Sequence, residues 1–233
     1  MSSLRSLPVS VDHPAGALVH RGVPEVILRP VGLADAEPLA AAIEASAPEL
    51  RTYMAWAHQP QGPIEQLNRA KIALADYHAG RSLQMVLTSP AGEILSVCGL
   101  ERRVPLNPRG WEIGYWTPSP RARRGYATLA TQLLTLYAFD LLGADRVQLV
   151  VDAANTASAR VAIKAGFVEE GRLVHVTPAG APEIVANGYR RSELSILFAL
   201  WPAAYAALPW PAALRRSLEV KNLLGHTVTG FWS

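Results

Sequence analysis

A cluster of arginines stands directly before a glycine and a predicted helix near the middle of the chain. Arg121, Arg123 and Arg124 are followed by Gly125 and Ala127, two positions with little side-chain bulk. The first N–H groups of a helix have no partner inside the helix and carry a partial positive charge. Together with the arginines they could hold a phosphate or pyrophosphate group. A solvated basic loop before an ordinary core helix is the alternative, and the loop alone does not decide between the two.

The residues on either side of this basic turn predict a strand and a helix. Residues 111–116 read WEIGYW, an aromatic and β-branched run that is typical of a strand. Residues 117–120 contain two prolines and a serine, which indicate a turn. After Gly125, apolar residues recur at three- and four-residue steps, which predicts a helix that ends at Gly143. The positions that carry this period are Leu129, Leu133, Leu136, Tyr137 and Leu141.

Composition favours a globular protein with one good-sized domain. Half of the 233 residues are hydrophobic, 18% are charged, and the net charge is only +3. The basic residues are spread out, so we expect no nucleic-acid partner. Cys98 is the one cysteine and the six histidines lack metal-ligand spacing, so we expect neither an internal disulfide nor a metal. No apolar run is long enough for a signal peptide or a membrane span, so a cytoplasmic protein without a membrane partner is the default expectation.

The order of elements predicts three regions and an α+β fold. Residues 1–24 are rich in Ser, Pro, Gly and His without a period, and we expect a loose arm. Residues 25–200 combine two early helices, antiparallel strands and then helix–strand alternation, which predicts a sheet with helices on both faces. Residues 201–233 are apolar, with three tryptophans, and form a tail that packs on the domain or on a partner chain. The second alternative would give a homodimer.

Several segments, in this order, resemble the GNAT N-acetyltransferases, most closely the RimJ/RimL-like branch. The motifs are the strand EIGYW, the turn TPSPRARRGYAT, the strand RVQLVVD and the run NTASARVAIKAGFVEEG, with LRPVGLADAEPLAAAI and LRTYMAW nearer the start. The resemblance covers residues 25–200. It implies a GNAT-type mixed, mostly antiparallel, splayed sheet of six or seven strands. One departure is that Ala122 stands three positions before Gly125, and the family's basic residue is displaced to Arg121.

The resemblance implies that acetyl-CoA is the co-substrate and that its acetyl group passes to an amine. In this family the pyrophosphate lies on the amides of the basic turn, here from about Arg123 to Thr128. The pantetheine arm would follow the strand at residues 111–116, where it splays from the strand at residues 146–152. The residues that this comparison assigns to acetyl-CoA binding are Trp116, Thr117, Arg123, Arg124, Gly125, Tyr126, Ala127, Thr128 and Asn155.

Two residues carry the catalytic roles that the resemblance implies. Glu112 would act through water as the general base for the incoming ammonium group, or it is a strand carboxylate that pairs with an arginine. Ser158 would give a proton to the departing thiolate. Asn155 and Ser158 also fit a simple helix cap, because Asn is a preferred N-cap residue. Tyr53, Trp56 and His175 are expected to line the acceptor site.

The acceptor and the acyl group stay open at this point. A protein N-terminal amine and a small amine are both consistent with the RimJ/RimL-like motifs. Transfer of a bulkier acyl group such as succinyl is an alternative, favoured if arginines line the far end of the thioester pocket. A non-catalytic acyl-CoA-binding module is a third hypothesis, which the joint presence of Glu112, Asn155 and Ser158 disfavours.

Overall fold

The computed structural model describes residues 16–22, 24–104, 107–174, 180–190, 192–222 and 225–228. Nine strands in this part of the chain form one sheet. They are β1 (Ala17–His20), β2 (Val26–Pro30), β3 (Ser82–Thr88), β4 (Ile94–Glu101), β5 (Gly110–Trp116), β6 (Arg146–Asp152), β7 (Val168–Val174), β8 (Leu194–Leu200) and β9 (Leu218–Lys221). The α-helices are α1 (Ala36–Glu44), α2 (Ala47–Tyr53), α3 (Pro63–His78), α4 (Tyr126–Leu136), α5 (Thr156–Lys164), α6 (Pro182–Ala186), α7 (Pro202–Ala206) and α8 (Pro211–Arg216). None of the described helices is both long and apolar enough to cross a bilayer.

The strand order is β7-β8-β6-β5-β4-β3-β2-β1-β9, and every neighbouring pair is antiparallel except β5 with β6. The parallel pairing covers only three positions, from Gly110 with Arg146 to Glu112 with Gln148. Beyond these positions β5 and β6 continue apart, so the sheet is splayed in its middle. The α+β class and the mostly antiparallel, splayed sheet predicted from the sequence are confirmed.

The number of strands is nine rather than six or seven, because both ends of the chain add to one edge of the sheet. Within the predicted loose arm, β1 pairs with β2 on one side and with β9 on the other, and Leu18 is fully buried. The apolar run in β1 is only three residues long and lies among glycine and proline, so no period marks it as a strand. Residues 1–15 lie outside the described part of the chain.

The tail packs on its own chain in the structure. Tyr205 of α7 stacks on Phe139 with ring centroids 4.5 Å apart. Arg215 of α8 donates two hydrogen bonds to the carboxylate of Asp140, at 2.7 and 2.9 Å. The indole N–H of Trp210 donates to the carbonyl oxygen of Ala165. These contacts join residues 205–215 to the helical layer near the C-terminal ends of α4 and α5.

Helices cover both faces of the sheet, and strand alternation assigns each side chain to one face. Leu83, Met85 and Leu87 of β3 point into the main core, where α4 packs against β4 and β5. Val86 points to the other face and joins the smaller core under α1 and α3. Leu133 and Leu134 of α4 are fully buried, and each such leucine contributes roughly 1.5–3 kcal/mol through burial. The central helix is therefore held firmly across the splayed strands.

Candidate active site

The split between β5 and β6 opens a gap with different residues on its two sides. Trp111, Ile113 and Tyr115 of β5 pack into the main core under α4. Glu112, Gly114 and Trp116 alternate with them and therefore lie on the opposite face. A Cβ atom added at Gly114 would have no heavy atom within 4 Å, so the strand is open there. The gap thus gives access to β5 from outside the sheet just past its last pairing with β6.

The basic turn has a backbone shaped for an anion. Arg123 has a φ of 62°, the only positive φ among the described non-glycine residues, and Gly125 has a φ of 85°. Left-handed residues in such a turn direct successive N–H groups to one concave surface. The first helical hydrogen bond of α4 runs from Leu129 N–H to Gly125 O, at 3.0 Å. By helix geometry, the N–H groups of Tyr126, Ala127 and Thr128 lack partners within the helix.

One of the three arginines at this turn is paired with a carboxylate, and the other two are exposed. Arg121 forms an ion pair with Glu93, the residue just before β4, and is therefore turned away from the helix start. Arg123 and Arg124 are exposed, as is Gly125. The displaced basic residue noted in the sequence thus braces the turn against the β3–β4 hairpin. Arg123 and Arg124 are the cations left to face a ligand at the start of α4.

A second contact fixes the turn to the opposite helical layer. The backbone N–H of Ser119 donates to Oγ of Ser46, at 2.9 Å, and the Ser119 hydroxyl donates to Glu49 of α2, also at 2.9 Å. Ser46 is fully buried between α1 and α2. The basic turn and the helices of the N-terminal half are consequently one connected unit.

Glu112 lies where β5 and β6 separate. The side-chain amide of Gln148 in β6 donates to Oε2 of Glu112, at 3.0 Å, while its oxygen accepts a hydrogen bond from Nε of Arg146, at 3.2 Å. Glu101 of β4 stands directly opposite Glu112 in the antiparallel register, on the same face. The two acidic residues are therefore cross-strand neighbours at the edge of the gap, and the Glu101 carboxylate also pairs with Arg103.

Ser158 lies across the gap from these carboxylates, on the α4 side of the sheet. Its Oγ is 2.8 Å from the hydroxyl oxygen of Tyr115, which also donates to the Ser158 carbonyl oxygen at 3.1 Å. Burial raises the pKa of Tyr115 to about 12, although its bond with Ser158 acts in the opposite direction. Asn155 caps α5, because its side-chain oxygen accepts from the backbone N–H of Ser158 at 3.1 Å. The predicted cap is confirmed, and the cap leaves the Ser158 hydroxyl facing Tyr115.

Trp116 and Thr117, two predicted acetyl-CoA contacts, lie at the end of β5. Oγ of Ser96 in β4 donates to the carbonyl oxygen of Trp116 at 3.0 Å and lies 3.3 Å from Oγ1 of Thr117. The indole ring of Trp116 points to the other helical layer, with its centroid 6.2 Å from that of Trp56. The Trp116 side chain therefore packs against the helices of the N-terminal half.

A cavity of about 710 Å³ lies on the face of the sheet that carries Gly114 and Trp116. Residues of α1, α3 and the segment after α2 form one wall, and β3, β4 and β5 form the other. Trp56 lines it, as the sequence predicted for the acceptor side. Tyr53 instead donates from its hydroxyl to the carbonyl oxygen of Ala154, at 3.3 Å, and so links α2 to the β6–α5 connection. His175 lies outside the described residues.

Three side chains near the gap were not predicted from the sequence: the Tyr115 hydroxyl, Gln148 and Glu101. Trp111, Ile113 and Tyr115 alternate along the strand and so share one face. This alternation could have predicted that the Tyr115 side chain packs on the same side as α4. Gln148 and Glu101 meet Glu112 only through strand register, which no local pattern reveals.

Cys98 is buried and burial raises the pKa of its thiol, so it stays protonated. Among the described residues no group of three or more His, Cys, Asp or Glu could hold a metal ion.

Several solved acetyltransferases have a similar fold. RimJ of Mycobacterium smegmatis, in complex with a CoA disulfide, matches 89% of this chain and 99% of its own, with a TM-score of 0.69 and 24% identity. RimL, a ribosomal L7/L12 alpha-N-protein acetyltransferase in complex with coenzyme A, matches 84% of this chain and 98% of its own, with a TM-score of 0.66 and 17% identity. The microcin C7 self-immunity acetyltransferase MccE, in complex with acetyl-CoA and AMP, matches 76% of this chain and 92% of its own, with a TM-score of 0.64 and 20% identity.

The sequence itself also identifies the family. No curated protein sequence matches the chain significantly. The profile of the acetyltransferase (GNAT) domain matches residues 25–168, which is more than half of the chain. This span contains the splayed strands, the basic turn, Glu112 and Ser158. The resemblance stated from the motifs is confirmed: the chain belongs to the GNAT acetyltransferases, and it has the fold of RimJ and RimL.

Proposed function

We propose that this enzyme transfers an acetyl group from acetyl-CoA to a primary amine, by direct attack in a ternary complex. The observation that carries the proposal is the arrangement at the gap between β5 and β6. By strand alternation Glu112 lies on the same face of the sheet as Gly114, which lines the cavity, whereas the Tyr115 side chain and its partner Ser158 lie on the opposite face. An amine that enters from the cavity and a thiolate that leaves toward α5 would each meet a suitable side chain.

The basic turn supports acetyl-CoA as the donor. Its left-handed residues, the start of α4 and two exposed arginines form a surface suited to a pyrophosphate. Thr117 and the amides from Arg123 to Thr128 are the proposed contacts, and Asn155 is the proposed contact to the pantetheine arm. The open edge of β5 near Gly114 offers backbone groups with which an extended arm can pair.

The proposed chemistry asks little of the protein beyond positioning and proton transfer. Glu112 accepts a proton from the acceptor ammonium, through a water molecule. A backbone N–H in residues 115–117 stabilises the oxyanion that develops on the acetyl carbonyl oxygen. The hydroxyl of Ser158 donates a hydrogen bond to the departing sulfur. No residue of the enzyme needs to carry the acetyl group, and the buried, protonated Cys98 is unsuited to that role.

Calorimetry and a turnover assay test the proposal separately. Calorimetry is expected to detect acetyl-CoA and CoA binding, and a thiol-release assay with a panel of primary amines should detect turnover. Binding without turnover for any amine would favour the non-catalytic module. Acetyl-CoA and succinyl-CoA are compared in the same assay, and a preference for succinyl-CoA would show that the acyl group is the bulkier one.

Two finer points belong to this proposal. The acceptor amine is a protein N-terminus or a small amine, and the acceptor panel should contain both kinds. A homodimer through the apolar tail also remains a prediction, although residues 205–215 pack on their own chain. Light scattering at micromolar concentration, on the full chain and on a chain that ends before Trp201, tests for it. A monomer in both samples would contradict a dimer.

A further inference from the structure

The cavity lined by Gly114 and Trp116 carries an excess of positive charge. Its charged lining consists of four arginines and two carboxylates: Arg69, Arg81, Arg102, Arg103, Asp76 and Glu101. Such a surface repels an acceptor that is only cationic, such as a polyamine, and attracts one that also carries a negative group. The pairing of these six groups decides which arginine is available for a ligand.

Three of the four arginines are already engaged. Arg81 forms an ion pair with Asp76 at 2.6 Å, and Arg103 forms one with Glu101. Arg102 donates from Nε to the carbonyl oxygen of Gly80 at 3.1 Å and from Nη1 to that of Pro108, and its guanidinium lies 4.3 Å from the centroid of the Trp111 ring. Both carboxylates of the lining are therefore used by neighbouring arginines.

Arg69 differs from the other three. Among the residues that the structure describes, it has no carboxylate partner, and its guanidinium lies 6.0 Å from the centroid of the Trp56 ring. Trp56 in turn faces Trp116, the last residue of β5. A planar guanidinium over an aromatic ring keeps its N–H groups free to bind a carboxylate or phosphate at its edge. Arg69 is thus a solvent-exposed part of the cavity lining, with its guanidinium near the two tryptophans at the end of β5.

We propose that the acceptor of this enzyme is an amine that carries an anionic group, and that Arg69 binds this group. The inference rests on the proposed acetyl transfer. The amine lies toward Glu112 and Glu101, and the anion lies toward Arg69 on the opposite wall of the cavity. A carboxylate or a phosphate satisfies the chemistry, and it can belong to an acidic residue near a polypeptide N-terminus or to a small molecule.

Matched acceptors that differ only in charge test the proposal. The peptide arm compares C-terminally amidated Ser-Glu-Ala-Ala, Ser-Gln-Ala-Ala and Ser-Lys-Ala-Ala. The small-molecule arm compares 4-aminobutyrate with its neutral amide, and spermidine serves as a purely cationic acceptor. We expect kcat/KM to be about tenfold or more higher for the anionic member of at least one arm, as expected for one charge-assisted hydrogen bond. The arm that shows the preference identifies the source of the anion.

Arg69→Gln should lower kcat/KM for the anionic acceptor to about the value for its neutral counterpart, so that the ratio between the two approaches one. Lys71→Gln is the matched control, because Lys71 is an exposed cation on the same helix, outside the cavity lining. Acetyl-CoA affinity, measured by calorimetry, should be the same in both variants, which confirms that the fold is intact. A preference retained in Arg69→Gln, or reduced equally in Lys71→Gln, would overturn the assignment.

Two further outcomes separate this inference from the proposed function. If wild-type enzyme acetylates neutral and anionic acceptors equally well, the anion proposal fails while acetyl transfer stands. If it binds acetyl-CoA but acetylates no amine, acetyl transfer itself fails. A preference for succinyl-CoA that is lost in Arg69→Gln would show that Arg69 binds the donor's carboxylate, and this result also overturns the acceptor assignment.

Discussion

The hydroxyl oxygen of Tyr115 lies 2.8 Å from Oγ of Ser158 and 3.1 Å from the carbonyl oxygen of the same residue. A carbonyl oxygen only accepts hydrogen bonds, so the Tyr115 hydroxyl is the donor to it. The Tyr115 side chain packs against the main core, which restricts the position of its hydroxyl. Tyr115 therefore holds Ser158 in place from within the α4 layer and limits the directions in which the serine proton can point.

Tyr115→Phe should lower kcat for acetyl transfer by about tenfold, the upper end for loss of one hydrogen bond, with little change in KM for acetyl-CoA. The ring and its packing are retained, so the effect isolates the hydroxyl. Ser158→Ala should cause a loss at least as large. The double variant should be no slower than Ser158→Ala, because the two hydroxyls act as one unit. Additive losses in steady-state kinetics would show that Tyr115 does not act through Ser158.

The raised pKa of Tyr115 also leads us to expect a loss of stability at alkaline pH. Burial raises the pKa of Tyr115 from 10.0 to about 12, so the folded state keeps this proton when the unfolded state has lost it. The unfolded state thus binds fewer protons between pH 10 and 12, and the free energy of unfolding falls as pH rises. Urea unfolding at pH 9, 10 and 11 measures this free energy. It should fall less steeply with pH in Tyr115→Phe than in wild type, by up to about 1.4 kcal/mol per pH unit. Tyr77, Tyr137, Tyr205 and Cys98, whose pKa values burial also raises, contribute to the slope that remains.

Glu112→Gln should reduce kcat about a hundredfold and leave acetyl-CoA affinity unchanged, because a general base contributes at least that factor. Glu101→Gln is the matched comparison, since Glu101 stands opposite Glu112 on the same face and forms an ion pair with Arg103. We expect a much smaller effect on kcat there. Rates measured over a full pH profile test both variants, and equal turnover of Glu112→Gln and wild type at every pH would reject the proposed base.

Much of this site was predictable because its strands and helices have strong local patterns. The strand predicted at residues 111–116 is β5, and the strand predicted at residues 146–152 is β6. The cap at Asn155 was also predicted and is present. In each case the signal lies within a few residues: alternation, a cap residue or a glycine. Local patterns therefore gave the elements and the order in which they occur.

The contacts between distant elements were not predictable in the same way. Gln148 meets Glu112 only because β5 and β6 pair in one particular register. Arg121 forms an ion pair with Glu93 of the β3–β4 hairpin, and β1 pairs with β9, which comes from the other end of the chain. Alternation indicates which face a side chain occupies, but register and topology decide its neighbours. The strand count was too low because β1 and β9 are only four residues long and no local pattern marks them as strands.

The two kinds of arginine at the basic turn should differ in their effect on CoA binding. Arg124→Gln removes an exposed cation beside the start of α4, and we expect about tenfold weaker binding of CoA. Arg121→Gln removes a side chain that is paired with Glu93, and CoA affinity should change by less than about twofold. Calorimetry at low and at moderate salt measures both, and the Arg124 contribution should shrink as salt increases. Equal losses in the two variants would contradict this division of roles.

The contact between the tail and the helical turn after α4, Tyr137–Leu141, is expected to contribute measurably to stability. Asp140 accepts hydrogen bonds from Arg215 at 2.7 and 2.9 Å and from the Tyr205 hydroxyl at 3.1 Å. Arg215→Gln leaves the largely buried carboxylate of Asp140 without its cation, so we expect a loss of about 1–3 kcal/mol in the free energy of unfolding.

Arg216→Gln is the control, because Arg216 is exposed on the same helix, and it should change stability by less than about 0.5 kcal/mol. Urea unfolding of both variants measures the difference. Because these contacts lie away from the gap between β5 and β6, kcat of folded Arg215→Gln should equal that of wild type. A large loss of kcat without a loss of stability would mean that the tail acts on catalysis rather than on the fold.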